Sequence, residues 1–422
     1  MLIMYLFVEV IAVIIILELL TMFVVKNLRK QFQWIITAED ERPKLDPEGL
    51  KKFIKHGYDP ELGWVRKPDT QHLERGEHGE TYYHIDKIGA RCNPGHEHLE
   101  PQISCFGDSF SFCRQVNDNE TWQWYLSEIS GVGVLNFAVG NYGIDQGYLR
   151  MAREIDKVKT DIVILGVVPS TIVRILCVWK HYNEFGNTFG FKPRFDIKNE
   201  KLVLIKNIIN EESKFNEYEN YLGDIQDKDY FYLRKFRDEM IRFPYLFHTL
   251  KKPSRNLPLI GMLLFSKLFD KDGVMNERIR GYCHMKIMNI NKTLRCRLFQ
   301  DKYAKDIFIG IIDKFVELAR IKNFKPVFLF TPQKDDILFI KQKGNYYNPF
   351  IEKIKERVFT IDITEHLLSS KNLDRLYSDD NVYGGHYSKD GNKLVADFIY
   401  KALKENQYLK QRIEEGSNLN KI

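Results

Sequence analysis

The sequence predicts an α/β protein: a doubly wound, flavodoxin-like, mostly parallel sheet of about five strands, with a helical insertion and one preceding transmembrane helix. Three observations predict it. Short apolar runs alternate with amphipathic stretches of helical period beyond residue 100. The same alternation returns near the carboxyl end. The chain also opens on an apolar run long enough to cross a bilayer core, which takes ~20 residues.

That run is MLIMYLFVEVIAVIIILELLTMFVV, residues 1–25. Its apolar character goes all round, as a membrane span requires and a half-buried helix does not. Glu9 and Glu18 lie within it, and each is costly at the hydrocarbon centre unless neutral, paired or near an interface. No basic segment precedes the run and no small-residue cleavage site follows, so it reads as an uncleaved single-pass anchor. Lys26, Arg29 and Lys30 come next, and the positive-inside rule would keep the following domain in the cytoplasm.

Residues 26–100 form a polar, turn-rich, membrane-proximal segment in which short strands are expected. The α/β domain is expected over 101–405. Ile103–Phe106 reads as a strand, Glu120–Ile129 as a helix capped by Asn119, and Val132–Phe137 as a second strand. Ile144–Val158 is an amphipathic helix and Asp161–Val168 a strand rich in β-branched residues. Strands separated by helices at this spacing call for a parallel sheet with crossovers. The pattern resumes with a helix at Ile307–Arg320, a strand at Pro326–Phe330, a helix at Phe350–Glu356, a strand at Val358–Ile363 and a closing helix at Lys389–Lys404. Residues 170–300 interrupt it as an insertion, with a hairpin turning at Asn199–Glu200. Within the insertion Leu257–Phe269 is too short to span a bilayer and reads as a packed helix. Residues 406–422 are a polar tail.

Composition narrows the function. The 422 residues carry 63 Lys and Arg against 57 Asp and Glu, a net charge of +6 without a long basic run. Nucleic-acid binding, which needs those charges clustered, is therefore not indicated. The six cysteines show neither a CxxC pair nor zinc-ligand spacing, so no metal is expected. No Gly-rich phosphate loop follows the first strand, and no cofactor is expected.

Two features carry chemistry. In ISCFGDSFSF a strand runs into Gly107-Asp108-Ser109, which puts a serine at the carboxyl edge of a parallel sheet, where open α/β folds bind ligands. In YSDDNVYGGHYSKDGNKLVADFIYKAL, His386 precedes the final helix and can reach over the same edge. Serine is a poor nucleophile until an imidazole takes its proton. The bland alternatives are Asp108 and Ser109 as helix caps and His386 as a surface histidine.

In these motifs and their order the chain resembles the SGNH (GDSL) hydrolases, over roughly residues 60–405. It resembles in particular the membrane-linked members associated with polysaccharide O-acetylation. The resemblance implies Ser109 as nucleophile and His386 as base, with an acylated carbohydrate as substrate and an extracytoplasmic catalytic domain, against the charges behind the anchor. The segment VLNFAVGNYGIDQGYL is similar to the family's second block and implies oxyanion amides at Ser109, Gly140 and Asn141, the last standing where the family has glycine. Ser388, Gly391 and Asn392 also match. Two departures stand out. The third block reads Gly166-Val167-Val168-Pro169 without its usual asparagine, leaving Ser170 or Thr171 as stand-ins. The acid position holds Tyr383, leaving Asp380, ahead of Asp379, as the candidate third member. The chemistry implied is esterase or O-acyltransferase chemistry through an acyl-serine; the alternative is a non-catalytic, membrane-tethered glycan-binding or assembly protein.

Overall fold

The computed structural model describes residues 2–76, 79–269, 274–379, 383 and 385–409. In chain order, helix α1 (Leu2–Gln31) is followed by strand β1 (Pro101–Gly107), α2 (Trp122–Ser130), β2 (Gly133–Asn136), α3 (Ile144–Val158) and β3 (Ile162–Val167). Then come α4 (Tyr245–Lys251), α5 (Pro253–Phe269), α6 (Val274–Leu298), α7 (Lys302–Lys322), β4 (Lys325–Phe330), α8 (Asn348–Lys355), β5 (Phe359–Asp362) and α9 (Lys389–Glu405). The chain divides into two compact units: residues 1–63, 176–192 and 206–297 form one, and 64–175, 193–205 and 298–422 the other.

The second unit holds the sheet. Its five strands are parallel and ordered β5-β4-β3-β1-β2, the flavodoxin-like arrangement read from the far edge. All six residues of β3 are buried, which suits the unbroken apolar run IVILGV to a strand covered on both faces. Trp122 and Leu126 of α2, with Val395, Ala396, Ile399 and Leu403 of α9, pack in one core with Ile103, Ile164, Val327 and Ile361 of the sheet. The hairpin Arg194–Lys198/Lys201–Ile205 turns at Asn199 (φ 49°) and Glu200 (φ 62°), the positive-φ pair that a two-residue hairpin demands. One cap differs from expectation. Asn119 lies in a 3-10 turn, and Thr121, directly ahead of α2, caps it by accepting from the Trp124 amide. A threonine hydroxyl at the true N-cap satisfies an orphan donor that Asn119 is too far upstream to reach.

In the first unit, α1 outlasts its apolar run by six residues. Val25, Leu28 and Phe32, with Ile35 just beyond, enter a core with Ile241, Tyr245, Leu259, Leu263, Ile279, Cys283 and Ile287. The stretch upstream is exposed and apolar, from Ile3 to Leu20. Glu18 has a partner: its carboxylate accepts from the amides of Tyr245 (2.5 Å) and Leu246 (2.8 Å), two of the orphan donors at the start of α4. The predicted packed helix, now α5, buries Leu259 and Leu263 and leaves Leu257, Phe265, Leu268 and Phe269 exposed.

Gly107 closes β1 at φ +144°, and a Cβ there would lie 1.8 Å from the Gly166 carbonyl oxygen of β3. Neither strand end can retreat without breaking the ladder. Gly107→Ala is expected to cost about 3 kcal/mol and lower the thermal unfolding midpoint by several degrees. Gly223→Ala, in a helix where a Cβ meets open space, should not lower the midpoint.

Candidate active site

Between β1 and β3, where the strand order reverses, the loop after β1 turns into a short helix, Ser109–Phe112. Asp108 caps it: its Oδ1 accepts from the Phe110 amide at 2.9 Å. Its Oδ2 accepts from the Val168 amide behind β3 (2.9 Å) and from Arg174 Nη1 (3.3 Å), and that nitrogen also donates to the Tyr142 carbonyl (3.0 Å). One fully buried carboxylate therefore ties together the loops after β1, β2 and β3. Of the two candidate caps, Asp108 takes the role, and Ser109 is the first residue of the turn it caps.

Ser109 is the first residue of that helical turn, so its amide has no acceptor inside the helix. It is 6% exposed. Gly140 is its neighbour: a Cβ built there would lie 4.0 Å from Ser109 Cβ. The Gly140 carbonyl accepts from Trp64 Nε1 at 3.0 Å, which pins this loop. Asn141 holds φ +68°, the left-handed conformation a glycine would adopt, with its side chain in solvent. Of the two stand-ins, Thr171 spends its hydroxyl oxygen accepting from the Ile144 amide (2.8 Å), whereas Ser170 Oγ is buried without a hydrogen-bond partner.

His386 reaches this edge. Phe110, next to Ser109, packs its ring 4.8 Å from the imidazole. No Ser109–His386 hydrogen bond is present among the described residues; in unliganded sites such bonds are often loose. The Nδ1 partner is not a carboxylate. Gln115 Oε1 sits 2.8 Å from Nδ1 and also accepts from the His386 amide (3.1 Å) and Ser378 Oγ (3.0 Å). Backbone N–H can donate only to the amide oxygen, which fixes the Gln115 orientation and puts the proton on Nδ1. Nε2 is then the basic nitrogen, as a general base at serine requires. Asp380, the expected acid, lies outside the described residues. Asp379 is described, and its carbonyl accepts from Lys334 Nζ at 3.4 Å.

Sequence reasoning missed Gln115 and what holds it. Gln115 adopts φ +66°, and its amide donates to Glu74 Oε2 at 3.1 Å. Arg91, buried, donates to the carbonyls of Phe112 (2.8 Å), Cys113 (2.6 Å) and Val116 (2.7 Å) around it. A glutamine six residues past a GDS serine carries no periodic or motif signal. Burial, with Arg114 and Arg174 adding like-charge repulsion, pushes the His386 imidazole down to about 3. Among the described residues no group of three or more His, Cys, Asp or Glu could hold a metal ion.

No family model matches the chain, and no curated protein matches it significantly. Solved structures give distant likenesses. A lipolytic protein of the G-D-S-L family from Desulfitobacterium hafniense aligns at TM-score 0.30 and 13% identity, covering 72% of this chain and 99% of its own. An acetyl xylan esterase aligns at 0.33 and 13%, covering 71% and 98%. A psychrotrophic esterase from Pseudoalteromonas aligns at 0.32 and 9%, covering 73% and 99%. At these scores the reading of the site rests on its own geometry.

Two outcomes test that geometry. Asp108→Asn and Arg174→Met should each cost about 3–5 kcal/mol, because each strands a buried charge. The double variant should cost clearly less than the sum in chemical denaturation. The second concerns pH. The unfolded imidazole binds a proton near pH 6.5, whereas the folded one does so only near 3. The unfolded state therefore holds more protons in that window, and stability falls as pH drops from about 6.5 toward 3. His386→Gln should flatten that part of the stability–pH curve.

Proposed function

We propose that this chain is a membrane-anchored serine esterase or O-acyltransferase acting on O-acyl groups, in the first place acetyl, of a carbohydrate. The observation that carries the proposal is a His386 of fixed tautomer whose ring packs on Phe110, the residue after a serine at the sheet's switch point. Ser109 Oγ attacks the acyl carbonyl while His386 Nε2 takes its proton. The tetrahedral oxyanion is met by the amides of Ser109 and of the Gly140–Asn141 turn. His386 returns the proton to the departing alcohol, leaving an acyl-serine. Water then gives an esterase, and a sugar hydroxyl an acyltransferase. Gln115 is the positioning residue at Nδ1, so this reading needs no carboxylate at that nitrogen.

The amino-terminal helix serves in this reading as a retained anchor. Val25, Leu28 and Phe32 fill the first unit's core, and Glu18 caps α4; cleavage would remove both. We place the catalytic unit outside the cytoplasm, following the family resemblance. A carboxyl-terminal reporter active only in the cytoplasm would overturn that placement.

One observation favours the second reading, a non-catalytic glycan-binding protein. A neutral amide at Nδ1 stabilises the imidazolium that forms during attack far less than a carboxylate would, and the imidazole is already a weak base. A serine-reactive fluorophosphonate separates the two. Labelling of the wild type, abolished in Ser109→Ala, is expected, with hydrolysis of an aryl acetate falling about 1000-fold or more in that variant. Equal labelling of wild type and Ser109→Ala, or none at all, sinks the enzyme reading. Gln115→Glu should raise the labelling rate about tenfold by giving the imidazolium a counter-charge.

A further inference from the structure

The surroundings of Ser109 are cationic. Arg174 is matched by Asp108, but two further arginines converge on Gly140. A Cβ built on that glycine would lie 3.7 Å from Arg114 Cδ, 4.0 Å from Arg66 Nη2 and 4.0 Å from Ser109 Cβ. Both side chains therefore come within about 8 Å of the nucleophile. They share one carboxylate: Glu74 Oε1 accepts from Arg114 Nε at 2.9 Å and stands 3.9 Å from Arg66 Nη2, too far for a hydrogen bond. Two guanidinium charges against one carboxylate leave a net positive charge. Arg66 is held by the rings of Tyr83 and Phe112, each 5.1 Å away, and its buried Nε has no hydrogen-bond partner among the described residues. Rigid, planar, half-compensated guanidinium groups suit a carboxylate or phosphate better than lysine would. The exposure of Arg114, 42%, leaves it reachable from solvent.

We infer that Arg66 and Arg114 form an anion subsite, so that the substrate of Ser109 carries a carboxylate or phosphate group close to its ester. This rests on the ester reading for its chemistry, but binding tests it without turnover. Trigalacturonate, a glycerol phosphate trimer and neutral galactotriose are titrated into the full chain in detergent by calorimetry. At least one anionic probe is expected to bind tenfold or more tightly than galactotriose, and the tighter of the two identifies carboxylate or phosphate. The preference should shrink at least tenfold in Arg66→Gln and in Arg114→Gln, and grow in Glu74→Gln, which removes the internal competitor. No anion preference in the wild type, or an undiminished one in Arg114→Gln, overturns the subsite. Fluorophosphonate labelling of the same preparation keeps the two ideas apart. Labelling without anion preference defeats this inference alone, and anion preference without labelling defeats the ester reading alone.

A separate observation concerns the first unit. Around the end of the exposed α1 stretch, Phe243, Phe247 and Leu250 at α4 and Leu257, Phe265 and Leu268 on α5 are 47–74% exposed. Glu18 fixes the depth of this face, because its bonds to Tyr245 and Leu246 hold α4 beside the apolar span. We propose that this face lies in the acyl-chain boundary of the leaflet into which α1 inserts, an interfacial helix pair continuous with the anchor. The full chain with its six native cysteines changed to serine, carrying one NBD-labelled cysteine from Ile14→Cys, Phe247→Cys, Phe265→Cys or Lys51→Cys in phosphatidylcholine vesicles, is read by quenching from shallow spin-labelled lipid at 247, 265 and 51 and from deep spin-labelled lipid at 14. Quenching at 247 and 265 but not at exposed Lys51 is expected. Quenching at 14 with none at 247 and 265 overturns the proposal, and no quenching at 14 overturns the anchor with it.

Discussion

A carboxylate buried without solvent must find its charge partner and its donors inside the fold, and at Asp108 that requirement organises the sheet's functional edge. Three loops that leave different strands meet on this one side chain, in addition to the bond from the Ile144 amide to Thr171 Oγ1. Asp108 accepts from the amide behind β1, the amide behind β3 and a guanidinium that also holds the carbonyl behind β2. Each bond is charge-assisted and shielded from water, which makes the arrangement stiff and its disruption costly. Gly107 and Gly166 permit it, because a side chain at Gly107 would drive the two strand ends apart. The position of Ser109 is a consequence of this tie, since it is the next residue and begins the turn that Asp108 caps.

The histidine is positioned by a different logic. A carboxylate partner both orients an imidazole and stabilises its cation, whereas Gln115 can only orient. Its oxygen gathers the ring, the backbone amide of the same residue and the Ser378 hydroxyl, which leaves Nε2 facing away as the acceptor. Orientation is preserved and electrostatic assistance is not. With two arginines adding to the burial penalty, the imidazole is held neutral over the whole physiological range. Arg114, which adds to the burial penalty on the imidazole, also belongs to the proposed anion subsite, so one charge would act in opposite senses on proton transfer and on binding.

In the first unit the constraint is again an acid, here half-buried. Glu18 shares the apolar stretch of α1 with Glu9 and would be expensive in hydrocarbon on its own. Two backbone amides at the start of α4 supply the compensation, which holds α4 against α1. This contact joins the apolar stretch of α1 to the folded unit alongside the core contacts of Val25, Leu28 and Phe32.

Much of this was legible in the amino-acid sequence, and the physical reason is local. The strands announce themselves because a strand buried on both faces must be apolar throughout, as in β3. The closing helix α9 shows because its buried face recurs every three to four residues. The left-handed turn at Asn141 and the first turn residue of the hairpin, Asn199, follow from a residue type that tolerates positive φ, whereas Glu200 is carried there by the turn. Ser109 and His386 stand out in the sequence because one follows the first strand of the alternating pattern and the other precedes its last helix. What only the tertiary structure decided is long-range and side-chain specific. That Thr171 is occupied, that Gln115 stands at Nδ1, that Arg174 bridges two loops and that Glu18 meets Tyr245 depend on contacts across dozens to hundreds of residues. Such contacts leave no period in the chain, because a single polar side chain meets its partner only after the backbone has brought the two together.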